Sequence, residues 1–144
     1  MNISSGYKIH RIANELKSSI RYVAPYNLSL MEMFILQSIV NNEGDITQYI
    51  IAKKLLLDPS RVNPIVKRLT NDGLINQTVS SVNGRIKKSL TATEEGKEMS
   101  DRFVQVTQDK HITKLMKMGF TLEEIDMHRE NLIAALDVWY SSLD

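Results

Sequence analysis

Hydrophobic residues recur at helical spacing in six stretches of the chain. The first stretch, residues 9–23, is amphipathic and ends near Ala24-Pro25, because a proline pushes the residue before it out of the α-helical region. The second stretch begins at Ser29 and Glu32, which have the spacing of a capping box, and it continues through Ile39. Each stretch predicts a helix.

The third and fourth stretches predict two helices separated by a short break. Thr47 is placed to cap a helix over residues 48–56. Asp58-Pro59 then starts the fourth helix, since an acceptor at the N-cap and a proline at the first helical position are both favoured there. The fourth helix ends at Asn71-Asp72-Gly73, because glycine suits the left-handed residue that follows a helix. Its inward positions are Val62, Ile65, Val66 and Leu69.

A β-hairpin is predicted after the fourth helix. Its strand candidates, residues 74–79 and 85–90, flank the dipeptide Asn83-Gly84. Asparagine and glycine tolerate the two positive φ angles of a type I′ turn, so the dipeptide is a strong hairpin signal.

Two further helices follow the hairpin. The fifth is long, and its cap is either Thr91, in a capping box with Glu94, or Thr93. The last helix starts at a second box, Thr121 and Glu124. Its apolar stripe consists of Ile125, Leu132, Leu136, Trp139 and Leu143.

Composition excludes several classes of protein. The 144 residues include no cysteine, so disulfides, thiolate zinc sites and thiol nucleophiles are excluded. No apolar run approaches the roughly 18 residues of a membrane-spanning helix, and the polar start MNISSGYK lacks a signal-peptide core. The sequence therefore predicts a cytoplasmic protein.

The net charge of +1 conceals an uneven distribution. Residues 47–88 contain eight cations and two acids, whereas residues 89–144 contain six cations and eleven acids. Charge alone leaves two explanations for this basic middle: a surface that faces a polyanion, or an ordinary solvated surface.

The basic middle coincides with the paired helices and the hairpin, an order that predicts a winged helix-turn-helix. In such a unit the second helix enters the major groove, and a hairpin arginine suits the negative potential of a narrow minor groove. The alternative is that these cations are merely solvated. The predicted base-reading residues are Ser60, Arg61, Asn63 and Pro64, the predicted phosphate contacts are Lys67, Arg68, Lys87 and Lys88, and Arg85 is the predicted minor-groove probe.

Four strings in this order, TQYIIAKKL, DPSRVNPIVKRLTNDGLI, NGR and LTATEEGKEM, resemble the MarR family of bacterial transcription regulators. The resemblance extends over nearly the whole chain. It implies a mainly α fold with a small β-hairpin wing, in which residues 29–92 form the winged helix-turn-helix region and residues 1–28 and 93–144 form a helical dimerisation region. It also implies a homodimer that binds a pseudo-palindromic operator in double-stranded DNA, usually as a repressor relieved by a small ligand, and it adds Gln48 to the DNA-contacting residues.

The sequence departs from the family pattern at the wing and in the recognition helix. Asn83 stands where the family usually has an aspartate, so Arg85 lacks a charged partner to orient it. Pro64 lies inside the recognition helix, where it removes a hydrogen bond to Ser60 and costs about 3 kcal/mol in an ordinary helix interior. We expect a bent or loosened helix there. Alternatively, the proline ring packs on a thymine methyl group.

Other functional classes have less support. The three histidines, His10, His111 and His128, are widely spaced, and no metal-ligand spacing or catalytic constellation appears, so neither an enzyme nor a cofactor is expected. A winged-helix adaptor that binds an acidic protein stays open, since the same basic face would serve it. A small aromatic anion is a candidate effector, and core packing is the alternative for each candidate pocket residue: Tyr7, Tyr22, Tyr26, Met31, Phe34 and Met116.

Overall fold

A computed structural model describes residues 1–22, 27–42, 44 and 46–143. The chain divides into two compact units, an N-terminal unit of residues 1–104 and a C-terminal unit of residues 105–144. The helices are α1 (Ser5–Ser19, followed by a 3₁₀ turn over Ile20–Tyr22), α2 (Leu30–Asn41), α3 (Gln48–Lys54), α4 (Pro59–Asn71), α5 (Glu94–Lys117) and α6 (Leu122–Ser141). The strands are β1 (Ile75–Val82) and β2 (Arg85–Ala92), which pair in an antiparallel hairpin.

This architecture confirms the predicted fold class, which is mainly helical with one small hairpin in the described residues. The strands are longer than predicted, because pairing continues from Ile75 opposite Ala92 to Val82 opposite Arg85. No helix among the described residues carries a stretch long and apolar enough to cross a membrane.

The hydrophobic core of the N-terminal unit is built around α2. None of its residues from Leu30 to Val40 is exposed, in agreement with a helix that lacks a strongly polar face. The helix-turn-helix pair and the base of the hairpin pack around it. The core includes Met33, Ile35, Leu36 and Ile39 of α2, Ile51 and Ala52 of α3, Val62, Val66 and Leu69 of α4, Ile75 and Leu90 of the hairpin, and Met99 and Phe103 of α5.

Helix α1 begins earlier than the sequence predicted. The Ser4 hydroxyl accepts a hydrogen bond from the Tyr7 N–H at 3.2 Å and caps the helix there. The first turn is polar and carries no apolar period, so periodicity placed the start near residue 9. The predicted stop at Ala24-Pro25 lies outside the described residues.

Thr93, not Thr91, caps α5. Thr91 pairs with Asn76 inside the hairpin, so the predicted box of Thr91 with Glu94 is wrong. The Thr93 hydroxyl donates to the Gly73 carbonyl at 2.7 Å and accepts from the Gly96 N–H at 3.1 Å. One side chain therefore joins the end of α4 to the start of α5.

The predicted capping box at the start of α2 forms only in part. The Ser29 hydroxyl accepts from the Glu32 N–H at 3.2 Å, as predicted. The Glu32 carboxylate, however, bonds to Arg68 of α4 instead of returning to its own helix end. By contrast, both halves of the box at Thr121 and Glu124 are present at the start of α6.

The C-terminal unit contains the end of α5 and all of α6. Ile125 is buried, and the rings of Phe120 and His128 pack edge to face with centroids 6.1 Å apart. Beyond Ile125, the apolar residues of α6 are exposed in the single chain. They are Met127, Leu132, Ile133, Leu136, Val138, Trp139 and Tyr140, with Leu143 just beyond the helix.

Candidate nucleic-acid interface

The turn between α3 and α4 is held by backbone hydrogen bonds. Leu56 has a φ of 55°, in the left-handed region that costs a residue with a side chain about 1–2 kcal/mol. The Leu57 N–H donates to the Ala52 carbonyl at 2.9 Å, and the Leu55 N–H donates to the Ile51 carbonyl at 2.9 Å. These bonds stabilise the Leu56 conformation and fix the point at which the chain leaves α3. The sequence predicted a break before Asp58, but no glycine marks the left-handed residue, so the conformation of Leu56 was not predicted.

Asp58 caps α4 as predicted. Its Oδ1 accepts a hydrogen bond from the Ser60 N–H at 2.8 Å, and Pro59 occupies the first helical turn. Hydrogen bonds from the Ser60 side chain and backbone hold the pKa of the Asp58 carboxyl below its usual range. The first turn of α4 is therefore preorganised beside the residues predicted to read bases.

Helix α4 has one buried side and one exposed side. Val62, Val66 and Leu69 are buried in the core. The exposed residues on the rest of the helix include most of the predicted base-reading and phosphate-contacting set: Ser60, Arg61, Asn63, Pro64 and Lys67. The structure thus brings these side chains to the surface of one helix, free of the core. Their contact with DNA stays a prediction.

Pro64 does not interrupt α4, which is continuous from Pro59 to Asn71. The helix begins only five residues before Pro64, so the carbonyl that loses its partner is that of Ser60, near the helix start. Ser60 is exposed, and water can therefore solvate its carbonyl. The ring of Pro64 is also exposed, as a contact with a base methyl group would require.

The start of α3 carries another predicted DNA contact, Gln48. Thr47 caps the helix by accepting from the Ile50 N–H at 3.3 Å, and Gln48 is half-buried at the first helical position. Tyr49 is 70% exposed beside Gln48, and Lys53 is exposed one turn further along. Sequence reasoning missed Tyr49 as a candidate contact. The available signal was an aromatic residue placed off the apolar stripe of α3.

The hairpin ends in the predicted two-residue turn. Asn83 has a φ of 52° and Gly84 a φ of 75°, the two positive angles of a type I′ turn. Val82 and Arg85 are therefore directly opposite each other at the tip.

The register divides the predicted wing cations between two faces. Arg85 pairs with Val82 and Lys87 pairs with Ser80, and both pairs lie on one face because side chains alternate along a strand. Lys88 pairs with Val79 on the opposite face, where Ile86 is also exposed. The sequence grouped the three cations together, and the pleat separates Lys88 from the other two.

Arg68 is occupied within the chain. Its Nη1 donates to Glu32 Oε1 at 2.8 Å, its Nη2 donates to the Asn27 carbonyl at 2.5 Å, and its Nε lies 3.8 Å from Asp72 Oδ2. Sequence reasoning assigned Arg68 to a DNA phosphate because it follows Lys67. The geometry instead favours a contact internal to the N-terminal unit.

The assignment of the six effector residues to a ligand site stays a prediction. Met31 and Phe34 are half-buried and pack against the core, which accounts for both. Tyr7 is exposed on α1, and Met116 belongs to the C-terminal unit. Tyr26 and the side chain of Tyr22 lie outside the described residues. Among described residues, no group of three or more histidines, aspartates or glutamates is placed to hold a metal ion.

A short helix, a tight turn, a second helix with an exposed basic surface and an antiparallel hairpin define a winged helix-turn-helix protein. The model of the MarR family matches residues 28–87. No curated protein sequence matches the chain.

Solved structures with the same fold are similar over most of the chain. The reduced form of MarR from E. coli has a TM-score of 0.74 at 20% sequence identity, covering 94% of this chain and 98% of that chain. A MepR–DNA complex from S. aureus has a TM-score of 0.70 at 20% identity, covering 95% and 99%. A second MepR structure, described as a regulator of the multidrug efflux pump MepA, has a TM-score of 0.70 at 19% identity, covering 95% and 99%.

Proposed function

We propose that this protein is a sequence-specific DNA-binding transcription regulator, a dimeric repressor of the MarR type. The observation that carries the proposal is the arrangement of α4 and the hairpin in one unit. Arg61, Asn63 and Lys67 are exposed on the helix that follows the turn, and Arg85 and Lys87 share one face of the wing. Such a unit places a helix in the major groove and a hairpin beside it.

The MarR-family match to residues 28–87 supports the same proposal, since the matched residues contain α3, α4, β1 and the start of β2. MepR, which shares the fold, has been solved bound to DNA. The basic middle, with eight cations and two acids in residues 47–88, adds the electrostatic attraction that DNA phosphates require.

Exposed apolar residues on the terminal helices support a homodimer. Ile9 and Ile12 are exposed on α1, and Leu132, Leu136 and Trp139 are exposed on α6. The C-terminal part of α6 also borders a recess of about 450 Å³ lined by Leu136, Trp139, Tyr140 and Leu143, among others. Monomeric proteins rarely leave contiguous apolar faces in water, so a second copy of the chain is the partner that we propose for them.

A salt titration of duplex DNA binding tests the proposal. The logarithm of the binding constant should fall linearly with the logarithm of the salt concentration, because bound cations displace counterions from the duplex. A duplex selected from a random pool should bind more tightly than a scrambled duplex of the same composition. Sedimentation equilibrium on the same preparation should give the mass of two chains.

The adaptor alternative makes the opposite prediction. A chain that binds neither duplex at low salt, while remaining folded, would remove DNA from the function and leave an acidic protein as the partner of the basic face. DNA binding by a monomeric chain would contradict only the dimer part of the proposal.

The remaining parts of the proposal stay predictions. They are the cytoplasmic location, the absence of catalysis, the division into residues 29–92 for DNA binding and residues 1–28 and 93–144 for dimerisation, and relief of repression by a small aromatic anion.

A further inference from the structure

Glu32 and Arg68 link two helices that the sequence presents separately. Glu32 is in the first turn of α2, and Arg68 is in the last turns of α4, 36 positions further along the chain. The Arg68 guanidinium contacts three chain groups: the Glu32 carboxylate, the Asn27 carbonyl and the Asp72 carboxylate. Arginine suits this role because its planar fork donates along several fixed directions at once.

Arg68 compensates the charge of the mostly buried Glu32 carboxylate. The side chain of Glu32 is only 11% exposed, and its Oε2 is buried with no hydrogen-bond partner among the described residues. A buried carboxylate without its cation is strongly unfavourable, whereas the intact pair compensates the charge. In a complete capping box the Glu32 carboxylate would accept from the Ser29 N–H. Here the carboxylate accepts from Arg68 instead.

The position of Arg68 on α4 connects this pair to base reading. Arg61 and Arg68 are seven residues apart, nearly two full turns, so they lie on the same flank of the helix. A restraint on that flank at one end of the helix limits rotation of the helix about its axis. Recognition requires side chains held within about 0.5 Å and 10–20° of the productive geometry, so such a restraint matters for Arg61 and Asn63.

We propose that the Glu32–Arg68 pair is a positioning contact that holds the recognition helix α4 against the start of α2, so that Arg68 acts on DNA specificity without touching DNA. The proposal rests on the function proposed above. It makes Glu32, a buried residue outside the helix-turn-helix, a determinant of sequence preference.

Glu32→Gln is the sharpest variant, because it keeps the size of the side chain and removes the charge. Its affinity should be measured for a duplex that the wild-type chain selects from a random pool and for a scrambled duplex of the same composition. We expect affinity for the selected duplex to fall about tenfold, affinity for the scrambled duplex to stay within twofold, and the salt dependence to stay unchanged. Arg68→Met should behave in the same way.

Lys67→Met is the matched control, since Lys67 is an exposed neighbour on the same helix. It should lower the affinity for both duplexes equally and reduce the salt slope by about 0.9, as expected for one lost phosphate contact. If Arg68→Met behaves like Lys67→Met, or if Glu32→Gln binds both duplexes as well as the wild type or better, Arg68 is a phosphate contact and the proposal is overturned.

A double variant, Glu32→Met with Arg68→Met, keeps the proposal testable if a single substitution impairs folding, since an apolar pair can replace a buried ion pair. Its loss of discrimination should be no greater than that of the worse single variant, because both substitutions remove the same contact. Additive losses would overturn the proposal. A wild-type chain that binds neither duplex would instead overturn the proposed function and this inference with it.

Discussion

Arg85 and Lys87 lie on the same face of the hairpin, opposite Val82 and Ser80 of the paired strand. Lys88, next in sequence, lies on the other face, opposite Val79. If the wing meets DNA with the face that carries Arg85, as we propose, the two lysines should contribute unequally to binding.

Lys87→Ala should therefore weaken DNA binding more than Lys88→Ala. We expect Lys87→Ala to reduce the salt slope by about 0.9, the value for one lost phosphate contact, and Lys88→Ala to reduce it by much less, since Lys88 lies on the face opposite Arg85. Fluorescence anisotropy with one duplex at four or five salt concentrations measures both slopes. Equal slopes for the two variants would show that the faces of the wing do not differ toward DNA.

Arg61 and Asn63 should determine sequence preference. Each is exposed near the start of α4, where side chains of a recognition helix reach base edges. Alanine at either position should remove about 1–3 kcal/mol of discrimination between the selected and a mismatched duplex. Competition binding with single-base variants of the selected duplex measures this loss and locates the base pair involved. A loss that is the same for every sequence would assign the residue to a phosphate instead.

Asp58 should make the stability of α4 depend on pH. Its folded-state pKa is lowered by hydrogen bonds from Ser60, so the stability that it contributes is present above its ordinary pKa of 3.8 and is lost as the pH falls through the lower folded value. Asp58→Asn keeps an N-cap acceptor and removes the titration.

The measurement for Asp58 is the difference in the free energy of unfolding between the wild type and Asp58→Asn, taken by urea denaturation at several pH values. As the pH falls below 3.8, the free energy of unfolding of the wild type should decrease relative to that of Asp58→Asn. The other carboxylates titrate in both proteins and cancel. A difference that does not change with pH would contradict the role of the ionised cap.

Gly96 should not tolerate a side chain. A Cβ at this position would overlap the carbonyl oxygen of Leu74, where α5 begins against the end of the preceding turn. Gly96→Ala should cost about 1–3 kcal/mol of stability, as overpacking of a fixed backbone does. Gly6→Ala is the matched control: nothing lies near that position on α1, so helix propensity should stabilise the chain by up to about 1 kcal/mol. Equilibrium urea unfolding compares the two, and equal midpoints would contradict the close approach.

Local chemistry was sufficient to predict most elements from the sequence. Helix caps, prolines and the Asn83-Gly84 turn act over four or five residues, so their effects do not depend on the rest of the fold. The caps at Thr47, Asp58 and Thr121 were correct for this reason. The exposed residues of α4 also followed from its periodicity, since the buried stripe of a helix determines which side chains remain outside.

Tertiary structure decided the features that depend on residues distant in sequence. Periodicity could not show that Glu32 would leave its own helix end for Arg68, since the two meet only when α2 and α4 pack together. Strand register, which follows from the length of the turn and the pairing, separated Lys88 from Arg85 and Lys87. Thr93 was chosen over Thr91 because its hydroxyl meets the Gly73 carbonyl across the hairpin base. The sequence by itself therefore determined the elements and the basic middle, whereas long-range packing decided which cations share a face and which one, Arg68, bonds within the chain.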